Sequence, residues 1–129
     1  MPLVRIAIPQ HFSAARLQAI SSAVHDAMLE TITIPAADRF QIITRHAPDE
    51  LVLDPTFLGI NRSADASIVD ITLRGGRSDD QKRALYARIT ALAQERASVS
   101  PADIMVVLSE NTMPDWSFGD GLAQYAPAA

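Results

Sequence analysis

The chain has 129 residues, of which 48% are hydrophobic and 20% charged, with a net charge of −4 and an isoelectric point near 5.2. Those values describe one ordinary globular domain with room for a core, and they argue against a disordered chain or a nucleic-acid footprint. With no cysteine there are no disulfides, thiolate zinc sites or thiol chemistry, and His11, His25 and His46 do not repeat at a metal-ligand spacing.

The N-terminus lacks a basic segment leading into an apolar core and cleavage site. No apolar run approaches the ~18 residues of a membrane span. A cytoplasmic protein is therefore expected. Pro2-Leu3-Val4-Arg5-Ile6-Ala7-Ile8 opens the chain as an apolar strand. Loss of Met1 would turn the Pro2 nitrogen into a rigid secondary amine at the start of that strand. A free α-amino group titrates near ~8, so a modest shift either way makes it an acid or a base at neutral pH. As the first residue of a strand, proline is also simply tolerated, because no ladder donor is needed there.

Ser13 is a candidate N-cap for a helix whose apolar face is Leu17, Ile20, Val24, Ala27, Met28 and Thr31, spaced by three and four. Ile34-Pro35-Ala36-Ala37-Asp38 breaks that helix, and Phe40-Gln41-Ile42-Ile43-Thr44 reads as a second strand. Residues 47–66, with Pro48, Pro55, Gly59 and Asn61, form a connector. Its Leu51-Val52-Leu53 and Phe57-Leu58-Gly59-Ile60 predict an ordered excursion.

The pattern then repeats. Ser67-Ile68-Val69-Asp70-Ile71-Thr72-Leu73 is a third strand, and Ser78 caps a second helix with Asp79 and Asp80 at its positive end. Leu85, Ile89, Leu92 and Ala93 mark its apolar face, Pro101 follows its end, and Ile104-Met105-Val106-Val107-Leu108 is a fourth strand. Ser13 to Ser78 is 65 residues and Pro35 to Pro101 is 66, so the offset is nearly constant. Two βαβ units of this length predict an α/β (α+β) domain over 1–129: repeat 1 at about 1–46, connector 47–66, repeat 2 at about 67–110 and tail 111–129. A four-stranded sheet with both helices on one face leaves the other face bare. That apolar face predicts a homo-oligomer closed around a rotation axis.

Arg74 closes the third strand, and Gly75-Gly76-Arg77-Ser78 turns into the second helix. Two arginines bracketing a glycine turn at a helix start suit a small carboxylate. Exposed arginines on a solvated surface are the plainer alternative. Asp38 is at least a turn residue; near the Pro2 amine its charge would favour the protonated form or orient a water, unless Arg39 neutralises it. His25 reads as a packed or solvated helix residue and His46 as a polar strand end. Trp116, Phe118 and Tyr125 make the tail aromatic enough to pack on something.

Pro2, the repeated unit, Gly-Arg-Ser-Asp-Asp-Gln-Lys at 76–82 and Asp115-Trp116-Ser117-Phe118-Gly119 together resemble the tautomerase superfamily, and within it the malonate semialdehyde decarboxylase-like branch. The resemblance spans essentially the whole chain. It implies that Pro2 is the catalytic proline freed by loss of Met1, Asp38 the aspartate that positions water or holds the proline charged, and Arg74 the arginine that grips a carboxylate or polarises a carbonyl. The branch's second arginine stands two residues later, a place taken here by Gly76, with Arg77 one position further on. Trp116 and Phe118 would wall the pocket, and the assembly would be a trimer.

Neutral Pro2 would abstract a proton beside a carbonyl, as in a keto–enol tautomerase; protonated Pro2 would act as acid in decarboxylation of a β-oxo acid. Neither route needs a cofactor or metal. Leu3, Val4 and Ile6 would supply apolar walls. The competing class is a non-catalytic oligomeric scaffold that retains Met1, since an acylated Pro2 nitrogen has no basicity. A nucleotide-binding domain is disfavoured by the missing glycine fingerprint.

Overall fold

The computed structural model describes residues 1–126, so residues 127–129 of the expected tail lie outside the described residues. Its strands are β1 (Pro2–Pro9), β2 (Gln41–His46), β3 (Ser67–Arg74) and β4 (Ile104–Asn111). They form one sheet in the order β2-β1-β3-β4. Within each repeat the strands are parallel, and the two repeats meet through antiparallel β1 and β3. Helices α1 (Ala14–Thr31) and α2 (Asp79–Ala97) pack side by side as the two crossovers. Among the described residues no helix is long and apolar enough to cross a membrane.

Side-chain chemistry sets the ends of both helices. The Ser13 hydroxyl accepts from the Arg16 amide, and Ser78 forms a capping box with Gln81. The Arg16 Nε–H donates to the Ala97 carbonyl at 3.0 Å, satisfying an orphan acceptor at the end of α2. Period-2 alternation then divides the sheet. Val4, Ile6, Ile8, Val69, Ile71 and Leu73 are buried with Ile20, Val24, Met28, Leu85, Ile89 and Leu92 in one core. The opposite face leaves Ile42 at one edge of the sheet, and Met105 and Val107 at the other, 39–47% exposed, with Arg5 and Asp70 in the row between Ile42 and Val107.

Each repeat places an aspartate just before its second strand, and the two do different work. Asp103 is buried and accepts from the Ser63 amide and hydroxyl, both at 2.6 Å, fastening the connector to the sheet. Asp38, at the matching place, faces the chain's own N-terminus.

Candidate active site

The start of β1 gathers the candidates. Pro2 is buried and lies opposite Leu73, which directly precedes Arg74. Met1 is buried too, and its ammonium makes an ion pair with Asp38 in which the two side chains are only 7% and 11% exposed. With Met1 in place the amine at this spot belongs to Met1, and the Pro2 nitrogen is a tertiary amide without basicity.

Local bonds aim Asp38. Its amide donates to the Pro35 carbonyl at 3.0 Å, closing a turn after the proline. His25, buried on α1, lies with Nε2 at 2.9 Å from the carbonyl oxygen of Ala36 and so pins the same turn. Arg39 does not neutralise Asp38: its guanidinium reaches back to the Ser21 hydroxyl at 2.9 Å. That leaves the Asp38 carboxylate committed to the amine, with Oδ1 buried and unpartnered.

The arginine turn sits alongside. Beyond β3 the Gly75 amide donates to the Asn111 carbonyl at 3.0 Å, extending the ladder by one residue. Gly76 takes φ +119°, a conformation that suits glycine and not the arginine that the resemblance puts there. The turn brings Arg77 back so that Nη1 donates to the Arg74 carbonyl at 2.8 Å. Burial, and then the Arg74 charge, push the Arg77 guanidinium below its ordinary value, while Asp38 and Glu110 act in the other direction. Arg77 thus shares one electrostatic neighbourhood with Asp38, Arg74 and Glu110. Arg74 Nε is buried without a partner. Asp38 Oδ1 and Arg74 Nε are thus both buried polar atoms without a partner, an arrangement that is costly where nothing meets them.

Next to this cluster a cleft of about 500 Å³ opens on the bare side of the sheet. Leu3, Thr72 and Asn111 form its floor, and Phe40, Trp116 and Phe118 its wall. Trp116 and Phe118 stack with centroids 5.6 Å apart, Phe40 leans on Phe118 at 5.4 Å, and Tyr125 meets Phe118 edge-on. The Trp116 indole N–H donates to Asn111 Oδ1 at 2.7 Å, which fixes the ring against the end of β4. Pro2, Asp38, Arg74 and Arg77 do not themselves line the cleft; their neighbours Leu3, Phe40 and Asn111 do.

Two details differ from the sequence expectation. Val4 and Ile6 are each 1% exposed beneath the helices and wall nothing; of the three predicted wall residues only Leu3 reaches the cleft. Alternation separates two sets of residues, but only packing decides which set meets the helices. Arg5, passed over in the apolar run, lines the cleft on the face of Leu3. A charge at the odd positions of β1 was the available signal. A further cavity of about 360 Å³ lies at the far end of β1, among Pro9, His11, His46 and Leu51. It lacks an arginine in its lining and fits an acid less well.

Two family models described as tautomerase enzyme match the chain, one over residues 38–119 and the other over residues 2–61. A probable tautomerase of Bacillus subtilis, YusQ, is 35% identical over 96% of this chain and 98% of its own length. A malonate semialdehyde decarboxylase inhibited by 3-bromopropiolate is 38% identical with a TM-score of 0.91, covering 95% of this chain and 93% of that one. Another malonate semialdehyde decarboxylase, described for its decarboxylase and hydratase activities, is 34% identical with a TM-score of 0.90, covering 95% of each chain. Duplicated βαβ units, a proline beginning the first strand and sequence likeness over almost the full length converge, and the chain belongs to the tautomerase family.

Proposed function

We propose that this protein is a cofactor-free enzyme of small oxo or enol acids, with the amine of Pro2, uncovered by loss of Met1, as its acid or base. The observation that carries this reading is the buried pairing of the chain's amino group with Asp38 beside the Arg74–Arg77 turn. Removing one residue shifts the amino group about 3–4 Å along β1, to the Pro2 ring. Asp38 then has a secondary amine to face in place of the Met1 ammonium.

Burial favours the neutral amine and an adjacent carboxylate the protonated one. With Asp38 this close, we assign the protonated form. A β-oxo acid would bind with its carboxylate on a guanidinium of Arg74 or Arg77 and its oxo oxygen towards the Pro2 ammonium. The bond from the carboxylate to the α-carbon breaks, carbon dioxide leaves and the electron pair passes into an enolate. Developing charge on the enolate oxygen is stabilised by the nearby cations, and the carbon then takes up a proton. The malonate semialdehyde decarboxylases at 38% and 34% identity support this class of substrate.

The aromatic wall of Phe40, Trp116 and Phe118 favours a second reading, in which neutral Pro2 takes the hydroxyl proton of an aryl enol acid and returns a proton to carbon. Contacts between copies through Ile42 at one edge of the bare face and Met105 and Val107 at the other, closed as a trimer, would cover that face. The discriminating experiment compares Met1-free protein, verified by intact mass, with protein that retains Met1. Both are assayed on malonate semialdehyde and on enol phenylpyruvate. Turnover by the Met1-free form alone supports the reading. Equal rates, or none on a wider panel of oxo acids, favour the scaffold.

A further inference from the structure

The turn that carries Arg77 is held by two groups outside the site so far described. Glu110, one residue from the end of β4, lies opposite Leu73 in the ladder. Because the ladder runs on through Gly75, the Glu110 carboxylate comes to rest against the turn: a Cβ on Gly75 would stand 2.8 Å from Glu110 Oε2. The other oxygen, Oε1, accepts from the ammonium of Lys82, in the first turns of α2. The end of β4 and the start of α2 are thereby tied across Gly75, Gly76 and Arg77. Glu110's carboxyl is held below its ordinary value, first by the Lys82 bond and charge, and further by the Gly76 amide and the Arg77 charge.

We propose that Glu110 is a tethered competitor for Arg77 and that Lys82 is its charge partner, which keeps the Glu110 carboxylate from occupying the guanidinium that an acid substrate needs. The inference rests on the reading that Arg77 binds a carboxylate. Asp38 is already paired with the amino group, whereas Glu110 is an anion beside Arg77 that is covalently tethered, so it competes at high effective concentration unless another cation engages it. Lys82 is that cation. Removing Lys82 frees Glu110 to turn onto Arg77. Removing both charges leaves Arg77 open again. A purely structural clamp has the opposite signature, because losing both partners is then no better than losing one.

The test uses Met1-free protein and malonate, an unreactive dicarboxylate, titrated by calorimetry against wild type, Lys82→Met, Glu110→Gln and the double variant. Lys82→Met is expected to weaken malonate binding by about two- to fivefold, the scale of one exposed ion pair, and Glu110→Gln to bind as well as wild type or better. The double variant is expected to recover to the level of Glu110→Gln. Unchanged affinity in Lys82→Met, or a double variant as weak as Lys82→Met, overturns the proposal. A second readout needs no ligand: the Gly76 amide resonance followed against pH. It is expected to titrate below the ordinary glutamate range in wild type and higher in Lys82→Met. Failure of wild type to bind malonate contradicts the arginine reading itself, whereas a Gly76 amide indifferent to pH and to Lys82 contradicts the Glu110–Lys82 pairing at the turn.

Discussion

Asn in place of Asp38 keeps the side chain's shape and removes its charge. In the Met1-bearing chain the carboxylate is 11% exposed and the amino group's residue 7%, so the substitution strands a cation away from water. Removing one member of a buried pair costs about 3–5 kcal/mol, and the surviving amide oxygen still accepts one bond, which points to about 3 kcal/mol. For a chain of this size each kcal/mol lowers the melting temperature by about 3–5 °C, giving a fall of about 10 °C. Thermal melts by circular dichroism read that directly. In Met1-free protein the same change is expected to lower turnover by about a hundredfold or more, by withdrawing the charge that holds Pro2 protonated. Asp103→Asn is the matched control. Its residue is 3% exposed and makes two short bonds to Ser63, so it is expected to lose stability and keep turnover. An Asp38→Asn protein that melts within about 2 °C of wild type, or two variants that lose turnover equally, refutes the assignment of a special role to Asp38.

Arg77→Lys exchanges a planar fork for a point charge and is expected to raise the KM for carboxylate substrates about tenfold, with kcat less affected; an unchanged KM removes Arg77 from binding. At Asp65, burial works to raise the carboxyl, but bonds from His11 and Arg16 outweigh it and hold the group below its ordinary value. A carboxylate depressed in this way contributes stability above its unfolded value that is lost as pH falls through the folded one. Asp65→Asn is therefore expected to flatten the loss of stability below about pH 4, and a urea series that falls as steeply as wild type would contradict this. Val107→Asp, beside Met105 on the bare face of β4, is expected to convert an oligomer into monomers in light scattering while the circular dichroism spectrum is kept.

Much of this architecture is legible in the residues. Ser13 and Ser78 cap the helices, and the β-branched runs at 67–73 and 104–108 fall inside strands, because caps and two-residue periods act over a few residues. The clustering of Asp38, Arg74 and Arg77 follows from their places at strand ends once the two repeats are laid side by side. What escapes the sequence is whatever depends on register. Which face of β1 meets the helices decides that Val4 is core and Leu3 is cleft. Lys82 and Glu110 are 28 residues apart, and only the extended β3–β4 ladder brings them to one turn. His25 reads as an ordinary helix residue until the turn at Ala36 is seen against it. Phe40 joins Trp116 and Phe118 only because the tail crosses the start of the second strand.

The most direct measurement is turnover of malonate semialdehyde by Met1-free wild type and by Pro2→Ala, each confirmed by intact mass, across a pH series. Pro2→Ala replaces a secondary amine fixed by its ring with a mobile primary one beside the same Asp38. A fall in kcat of about 10²–10⁴ is expected, with a wild-type rate that is lost only on the alkaline side as the ammonium gives up its proton. Equal rates for the two proteins on the neutral and acid side, where wild type is fully active, would contradict this expectation.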